Sequence, residues 1–170
     1  MRAWPQSRSE MMGLRLCGIA DEPFCPGETV TEGLDGLAER VAEYAGLGAE
    51  FAKWRAVIDV SDTLPSHNSI HANAHALARY AAICQAGGIV PMVEPEVLMD
   101  GDNDIDTCAE VTEWALNETF AELRHAGVML EGIILKPNMV ISGKKCATQA
   151  GREEVAYKTV KNLKLSLIHI

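Results

Sequence analysis

Charged side chains occur at three places in otherwise apolar, strand-length segments. Lys53 and Arg55 lie two residues apart in FAKWR, Glu94 and Glu96 repeat this spacing in VEPE, and an apolar run ends at Lys136. Residues two apart project from the same face of a strand. Because the carboxyl ends of parallel strands meet where α/β folds bind ligands, we expect these side chains to converge. The alternative is that they are ordinary surface charges at strand ends.

Imine formation is the chemistry that these residue types permit. A lysine in a water-poor pocket beside another cation has a lowered amine pKa and can attack a carbonyl carbon. Lys136 beside Lys53 fits that role, and Glu94 fits the acid that moves protons while a carbon–carbon bond breaks. Glu96 is expected to hold Lys53. Arg55 has the planar fork that binds a phosphate in bidentate fashion.

Strands and helices alternate along the sequence in units of similar length. Strands are predicted at 51–60, 89–94 and 130–136, and their charged positions recur at intervals of 41 and 42 residues. Apolar strands separated by helices are typical of parallel βαβ units. Equal units predict a (β/α)₈ TIM barrel, but a complete barrel needs roughly 250 residues. We therefore expect an α/β fold that is a partial TIM barrel, with about three parallel strands and their helices, not closed.

Helices are predicted from apolar residues at helical spacing. The first spans residues 28–47, with Thr29 or Thr31 as N-cap and with Gly46 and Gly48 as stop signals. The buried stripes expected for the three later helices are Ile70, Ala74, Leu77, Ala81 and Cys84, then Ile105, Cys108, Val111 and Ala115, and finally Val155, Thr159 and Leu163.

Composition excludes several classes of partner. A formal net charge of -9 argues against nucleic acid and anionic membrane surfaces, which require a basic field. No run reaches the ~20 apolar residues of a membrane span. The five cysteines are odd in number, widely spaced and without a CxxC motif, which favours a reducing compartment and hence the cytoplasm. A phosphorylated small substrate remains possible, because only the local charge of its pocket matters.

Five segments give the sequence a family resemblance. They are TEGLDGLAERVAEY, GAEFAKWRAV, NAHALARYAAICQ, IVPMVEPEVLMDGDND and LEGIILKPNMV. In this order they resemble class I (Schiff-base) fructose-bisphosphate aldolases, and the motifs VEPEVL and LKPNMV are highly specific. The resemblance covers residues 27–164, which we interpret as aldolase-like βα units. Residues 1–26 and 165–170 are atypical of the family.

The resemblance implies a role for each charged strand residue. The lysine of LKPNMV forms the Schiff base in the family, which implies Lys136, and the first glutamate of VEPE transfers protons, which implies Glu94. The second glutamate and the lysine of AKWR support them, which implies Glu96 and Lys53. Arg55 resembles a residue that binds a substrate phosphate. The implied reaction is the reversible cleavage of fructose 1,6-bisphosphate into dihydroxyacetone phosphate and glyceraldehyde 3-phosphate, without metal or organic cofactor.

Family members also carry strands that this sequence does not contain. Those strands bring an active-site aspartate, another lysine, a Gly/Ser phosphate-binding loop and a further arginine. One alternative is therefore a catalytically incompetent fragment that acts only by association through its sheet edges. A second alternative is a Schiff-base aldolase for another sugar phosphate. At full length we expect a homo-oligomer.

Three motifs outside the strands have a plain and a functional interpretation. His67, His71 and His75 recur every four residues on one helical face, where such pairs can chelate zinc, but we favour a solvated histidine face. The aspartates of 100–104 imitate the start of a calcium loop and are more consistent with a helix cap. The GKK at 143–145 lacks the other residues of a P-loop, which favours a flexible polar loop.

Overall fold

The computed structural model describes residues 18–21 and 27–167 of the chain. Most of the atypical segment 1–26, and residues 168–170 of the atypical tail, lie outside these ranges. The elements in chain order are β1 (Gly18–Asp21), β2 (Thr29–Glu32), α1 (Leu37–Gly46), β3 (Phe51–Ile58), α2 (His67–Ala86), β4 (Val90–Val97), α3 (Ile105–His125), a 3₁₀ turn (Leu130–Gly132), β5 (Ile134–Leu135) and α4 (Arg152–Leu167).

Two sheets form within the described residues. β3, β4 and β5 make a parallel sheet in that order, and β1 pairs antiparallel with β2. β3 and β4 pair along their whole length, from Phe51 opposite Val90 to Ile58 opposite Val97. The prediction of an α/β fold with an open, three-stranded parallel sheet is confirmed. β5 has only two residues, because a 3₁₀ turn occupies the start of the predicted third strand.

One face of the sheet is buried against the helices. In β3 the buried residues Ala52, Trp54, Ala56 and Ile58 alternate with more exposed ones. Trp54 is fully buried and its ring lies 5.3 Å from that of Tyr80 in α2, so it packs in the core and is not placed to stack on a ligand. This alternation leaves the charged residues of β3 on the opposite, open face.

The predicted buried stripes of α2 and α3 are confirmed, since all nine residues are buried. Each helix begins at a polar cap that satisfies a backbone N–H. Ser66 caps α2 by accepting from the N–H of Ser69 at 3.1 Å, and Asp104 caps α3 by accepting from the N–H of Thr107 at 2.8 Å. The interpretation of the 100–104 aspartates as a helix cap is therefore confirmed for Asp104, whereas Asp100 pairs with Lys144 at 2.7 Å.

The first predicted helix begins later than expected. Thr29–Glu32 forms strand β2, and α1 starts at Leu37 with Gly36 as its N-cap. Neither threonine caps a helix; the hydroxyl of Thr31 instead donates to the carbonyl oxygen of Arg55 at 2.5 Å. The β-branched residues in TVTE favour an extended backbone, and the apolar residues at helical spacing begin only at Leu34, after this strand.

The segment around 143–145 is not the flexible loop that the sequence predicts. The backbone N–H of Gly143 donates to the carbonyl of Asn103 at 2.8 Å, and that of Lys145 donates to the carbonyl of Gly101 at 2.9 Å. The two loops approach so closely that a Cβ at position 143 would lie 2.3 Å from the Gly101 oxygen. The loop after β5 is thereby fixed to the loop after β4.

Candidate active site

The open face of the parallel sheet has an apolar end and a charged end. Phe51, Val90 and Ile134 are exposed near the start of their strands. On this face the first charged side chain comes two residues after Phe51 and two after Ile134, at Lys53 and Lys136, and four residues after Val90, at Glu94. Arg55 lies opposite Glu94. The charged end faces the carboxyl ends of the strands, where ligands bind in folds of this class.

Glu94 lies at the centre of the charged end. Its side chain is only 2% exposed, and its two oxygens contact lysines from the two neighbouring strands. Oε1 accepts a hydrogen bond from Nζ of Lys136, and Oε2 lies 3.1 Å from Nζ of Lys53. The backbone N–H of Lys136 donates to the carbonyl of Val93 at 2.9 Å, which fixes the lysine beside β4. We refer to Lys53, Glu94 and Lys136 as the strand cluster.

The sequence predicted that Glu96 would hold Lys53, and this contact does not form. Glu96 accepts a hydrogen bond from Nε of Arg55, whereas Lys53 contacts Glu94. The register explains this correction, because Glu96 pairs with Val57 and so lies closer to Arg55 than to Lys53 along β3. All five predicted site residues therefore lie on one face, but Glu96 contacts Arg55 instead of Lys53.

The protonation of the strand cluster also differs from expectation. The hydrogen bond to Glu94 raises the pKa of Lys136 above its ordinary value, so the lowering expected from Lys53 is wrong for this structure. Burial by itself raises the pKa of Glu94, but hydrogen bonds from Lys136 and Lys53 outweigh burial and the net pKa is lowered. The arrangement is therefore a carboxylate between two ammonium groups.

Asn138 supports the site and was missed by the sequence analysis. Its Oδ1 accepts from the N–H of Val97 at 3.1 Å, and its Nδ2 donates to Oγ1 of Thr112 at 3.0 Å. The side chain thus joins the segment after Lys136 to the end of β4 and to α3. Its place two residues after the lysine in KPN was the only available signal, because both partners are distant in sequence.

The comparison with protein families shows to which family the chain belongs. A family model described as fructose-bisphosphate aldolase class-I matches residues 11–168. The chain belongs to this aldolase family. The family assignment confirms the resemblance drawn from the sequence motifs.

Aldolases from bacteria and animals match the chain closely. It is 64% identical over 139 residues to a probable fructose-bisphosphate aldolase class 1 of Xanthomonas campestris, which covers 82% of this chain and 42% of the relative. It is 54% identical over 160 residues to fructose-bisphosphate aldolase C-B of Danio rerio, covering 94% of this chain and 44% of the relative. The chain thus spans less than half the length of these aldolases.

A solved aldolase structure has the same fold. The aldolase of Plasmodium falciparum, solved in a ternary complex with TRAP and a small-molecule inhibitor, superposes with a TM-score of 0.87 at 44% identity. The match covers 89% of this chain and 45% of that one. The open sheet therefore corresponds to part of the aldolase barrel.

Other site hypotheses have mixed outcomes. The three histidines of α2 are exposed as predicted, but His71 and His75 pair with glutamates of α3. In the described part of the chain no helix is both long and apolar enough to cross a membrane. Cys84, Cys108 and Cys146 are free thiols.

Proposed function

We propose that the strand cluster is the catalytic centre of a class I fructose-bisphosphate aldolase, which cleaves fructose 1,6-bisphosphate reversibly through a Schiff base on Lys136. The observation that carries this proposal is the buried carboxylate of Glu94 held between the ammonium groups of Lys136 and Lys53. Family membership supports the substrate and reaction, and the geometry supports the residue roles.

A single proton links the nucleophile to the acid. Lys136 donates to Glu94, so transfer of that proton along the hydrogen bond gives a neutral amine and a carboxylic acid together. The raised pKa of Lys136 makes this neutral pair a minor state before substrate binds. A substrate that covers the half-exposed lysines would remove water from them, and desolvation lowers the pKa of an amine. Substrate binding therefore favours the nucleophilic form.

The proposed reaction uses Glu94 as a proton carrier. The Lys136 amine attacks the substrate carbonyl carbon, and Glu94 gives a proton to the departing hydroxyl, so that water leaves and an imine forms. The protonated imine accepts the electron pair of the carbon–carbon bond that breaks, while Glu94, ionised by the dehydration step, takes the proton of the substrate hydroxyl that becomes the aldehyde. The aldehyde product leaves, the enamine regains a proton on carbon, and hydrolysis of the imine frees the ketone product and Lys136.

The remaining charged residues position the substrate and the cluster. Lys53 keeps a positive charge beside Glu94 when the proton of Lys136 has moved, which favours return of Glu94 to the ionised form. Glu96 orients Arg55 through Nε, and the terminal nitrogens of a guanidinium can bind phosphate oxygens. We assign Arg55 to a substrate phosphate on this basis.

We also propose a cytoplasmic location and a homo-oligomeric state for the full-length enzyme. The free thiols among the described cysteines support a reducing compartment. Equilibrium sedimentation of the complete enzyme would test the oligomeric state.

Borohydride trapping tests the assignment of Lys136. Reduction in the presence of dihydroxyacetone phosphate should give a covalent adduct, because borohydride fixes an imine on its lysine. The test uses both the 170-residue chain and a chimera that completes the barrel with the matching segments of the Xanthomonas campestris aldolase. Peptide mapping should place the adduct on Lys136, and Lys136→Arg should abolish it.

Lys145→Arg is the matched control. Lys145 lies in the loop after β5, is exposed, and should not affect the adduct. An adduct found chiefly on Lys53, Lys144 or Lys145 in the chimera would contradict the proposal.

A further inference from the structure

Two neighbouring helices present complementary side chains to each other on the outside of the sheet. His71 and His75 are four residues apart on α2, and Glu118 and Glu122 are four residues apart on α3. Residues four apart lie above one another on a helix face. Each helix therefore contributes two metal-ligand side chains to the same interhelical groove.

The side chains meet across the groove in two matched pairs. Nδ1 of His71 lies 2.8 Å from Oε1 of Glu118, and Nδ1 of His75 lies 2.8 Å from Oε2 of Glu122. The imidazole rings of the two histidines stack with their centroids 6.4 Å apart. His125, one turn along α3, adds a third ring whose Nδ1 is 3.7 Å from Glu122. We refer to His71, His75, Glu118 and Glu122 as the helix cluster.

We propose that the helix cluster binds a divalent transition-metal ion such as Zn²⁺, with His71, Glu118 and Glu122 as ligands and His75 as the adjacent fourth group. One ligand atom from each of the first three residues lies within 4.8 Å of the others. Tetrahedral zinc with bonds of about 2.0–2.2 Å needs ligand atoms ~3.3 Å apart. Side-chain rotation, chiefly of His71, which is 53% exposed, would supply this contraction.

The ligand types favour zinc, cobalt or nickel over the alkaline-earth ions. Calcium takes about 6–8 oxygen ligands and magnesium prefers oxygens with several waters, whereas imidazole with carboxylate suits later first-row metals. His67, the third histidine of the row, is outside the cluster because its ring contacts Trp114 at a centroid distance of 5.5 Å. The bound ion would join α2 to α3 and would take no part in the imine chemistry.

Protons compete with the metal for the same nitrogen. The hydrogen bond that His71 donates to Glu118 raises the pKa of His71, which favours the imidazolium form. Metal binding requires neutral imidazole, so affinity should increase as the pH rises through that pKa.

Metal titration of the 170-residue chain tests the proposal. Zn²⁺ is titrated by calorimetry, and Co²⁺ is titrated by visible absorption, whose ligand-field bands report nitrogen and oxygen ligands. His71→Asn and Glu122→Gln should each weaken binding by at least about tenfold, the lower range of effects seen for groups that only support a ligand. Zn²⁺ should also raise the thermal midpoint in proportion to the logarithm of its free concentration.

Two control variants remove the same side-chain types from the same helices. His67→Asn lies one turn before the cluster on α2, and Glu110→Gln changes an exposed glutamate of α3. Both should keep the parent affinity.

Several results would overturn the proposal. One is Zn²⁺ affinity that survives both His71→Asn and Glu122→Gln, and another is the absence of Zn²⁺ binding by the parent chain. An intense sulfur-to-cobalt charge-transfer band would assign the metal to cysteine thiolates instead. If His71→Asn loses helical circular dichroism, Glu122→Gln alone decides the outcome.

Discussion

The strand cluster and the helix cluster use the same charges in different surroundings. Each places carboxylates beside cations from a neighbouring element. In the strand cluster, Glu94 is 2% exposed and two lysines contact it, whereas Glu118 and Glu122 of the helix cluster are 27% and 13% exposed and pair with histidines. Burial forces Glu94 to keep its cations, because an unpaired charge in the interior is costly.

The difference shows that burial and the type of cation together determine what a carboxylate can do. A buried carboxylate with two lysines stays ionised at neutral pH and exchanges its protons with a nucleophile. In the helix cluster the exposed imidazoles, and not the carboxylates, exchange protons with solvent, because histidine is the side chain that changes charge near physiological pH. The first arrangement suits proton transfer within a reaction, and the second suits binding of a solvent ion.

The largest expected effect concerns the surroundings of the strand cluster. A polypeptide of these 170 residues should cleave fructose 1,6-bisphosphate weakly or not at all and should self-associate, while the chimera should be active. Phe51, Val90 and Ile134 are exposed on the same open face as the cluster, and correct positioning of substrate supplies about 7–11 kcal/mol in favourable cases. A coupled turnover assay and light scattering after gel filtration measure both properties. If the 170-residue chain were monodisperse and had the same turnover as the chimera, the prediction would be contradicted.

The next effect is expected from Glu94 itself. In the chimera, Glu94→Gln should lower turnover by roughly 10²–10⁴-fold, the contribution of one acid or base group. The amide keeps the shape of the side chain but cannot take the proton of Lys136. Glu110→Gln on the exposed face of α3 serves as the control and should leave turnover unchanged. Turnover close to that of the parent would move the proton-transfer role to another residue.

The smallest effect is a pH-dependent change in stability at the helix cluster. The pKa of His71 in the folded protein is raised above 6.5. Its contribution to the free energy of unfolding is therefore fully present below pH 6.5 and is lost as the pH rises through the folded-state pKa. The hydrogen bond from His75 lowers the pKa of Glu122 below 4.5, so its contribution is lost as the pH falls through that lower value. The cluster should therefore stabilise the fold most between pH 4.5 and pH 6.5, the ordinary pKa values of glutamate and histidine.

Urea unfolding with a chelator present measures this window. From about pH 4 to about pH 9, the difference in unfolding free energy between the parent and His71→Asn should reach at most ~1 kcal/mol, as expected for exposed pairs. It should be largest on the acid side of pH 6.5. A difference that grows above neutral pH would show that His71 acts through packing.

The sequence predicted the faces of the strands better than their contacts. Alternation within FAKWR and VEPE places the charged residues on one face, and the family motifs identify the same positions. The partner that each residue contacts depends on strand register. Spacing alone could not show that Glu96 lies closer to Arg55 than it does to Lys53. The pKa of Lys136 depends on the same detail, because a carboxylate and not a cation is its nearest neighbour.

The sequence predicted the histidines of the helix cluster but not their glutamate partners. The spacing of the histidines predicted their exposed face, but His71 meets Glu118 across 47 residues of chain. No local pattern connects them. Similarly, the helix predicted over 28–47 was begun too early and included β2, whose pairing with β1 is also a tertiary effect.

The close approach of Gly143 to Gly101 bears on how sequence variation in this family should be interpreted. A methyl group at 143 would meet backbone atoms, and one at 101 would lie 3.1 Å from the carbonyl oxygen of Val60. In a saturation-mutagenesis scan both positions should tolerate few substitutions, although neither belongs to the strand cluster. An invariant glycine at these sites would therefore record the spacing of two loops rather than contact with a substrate. Catalytic maps drawn from invariance alone would wrongly include them.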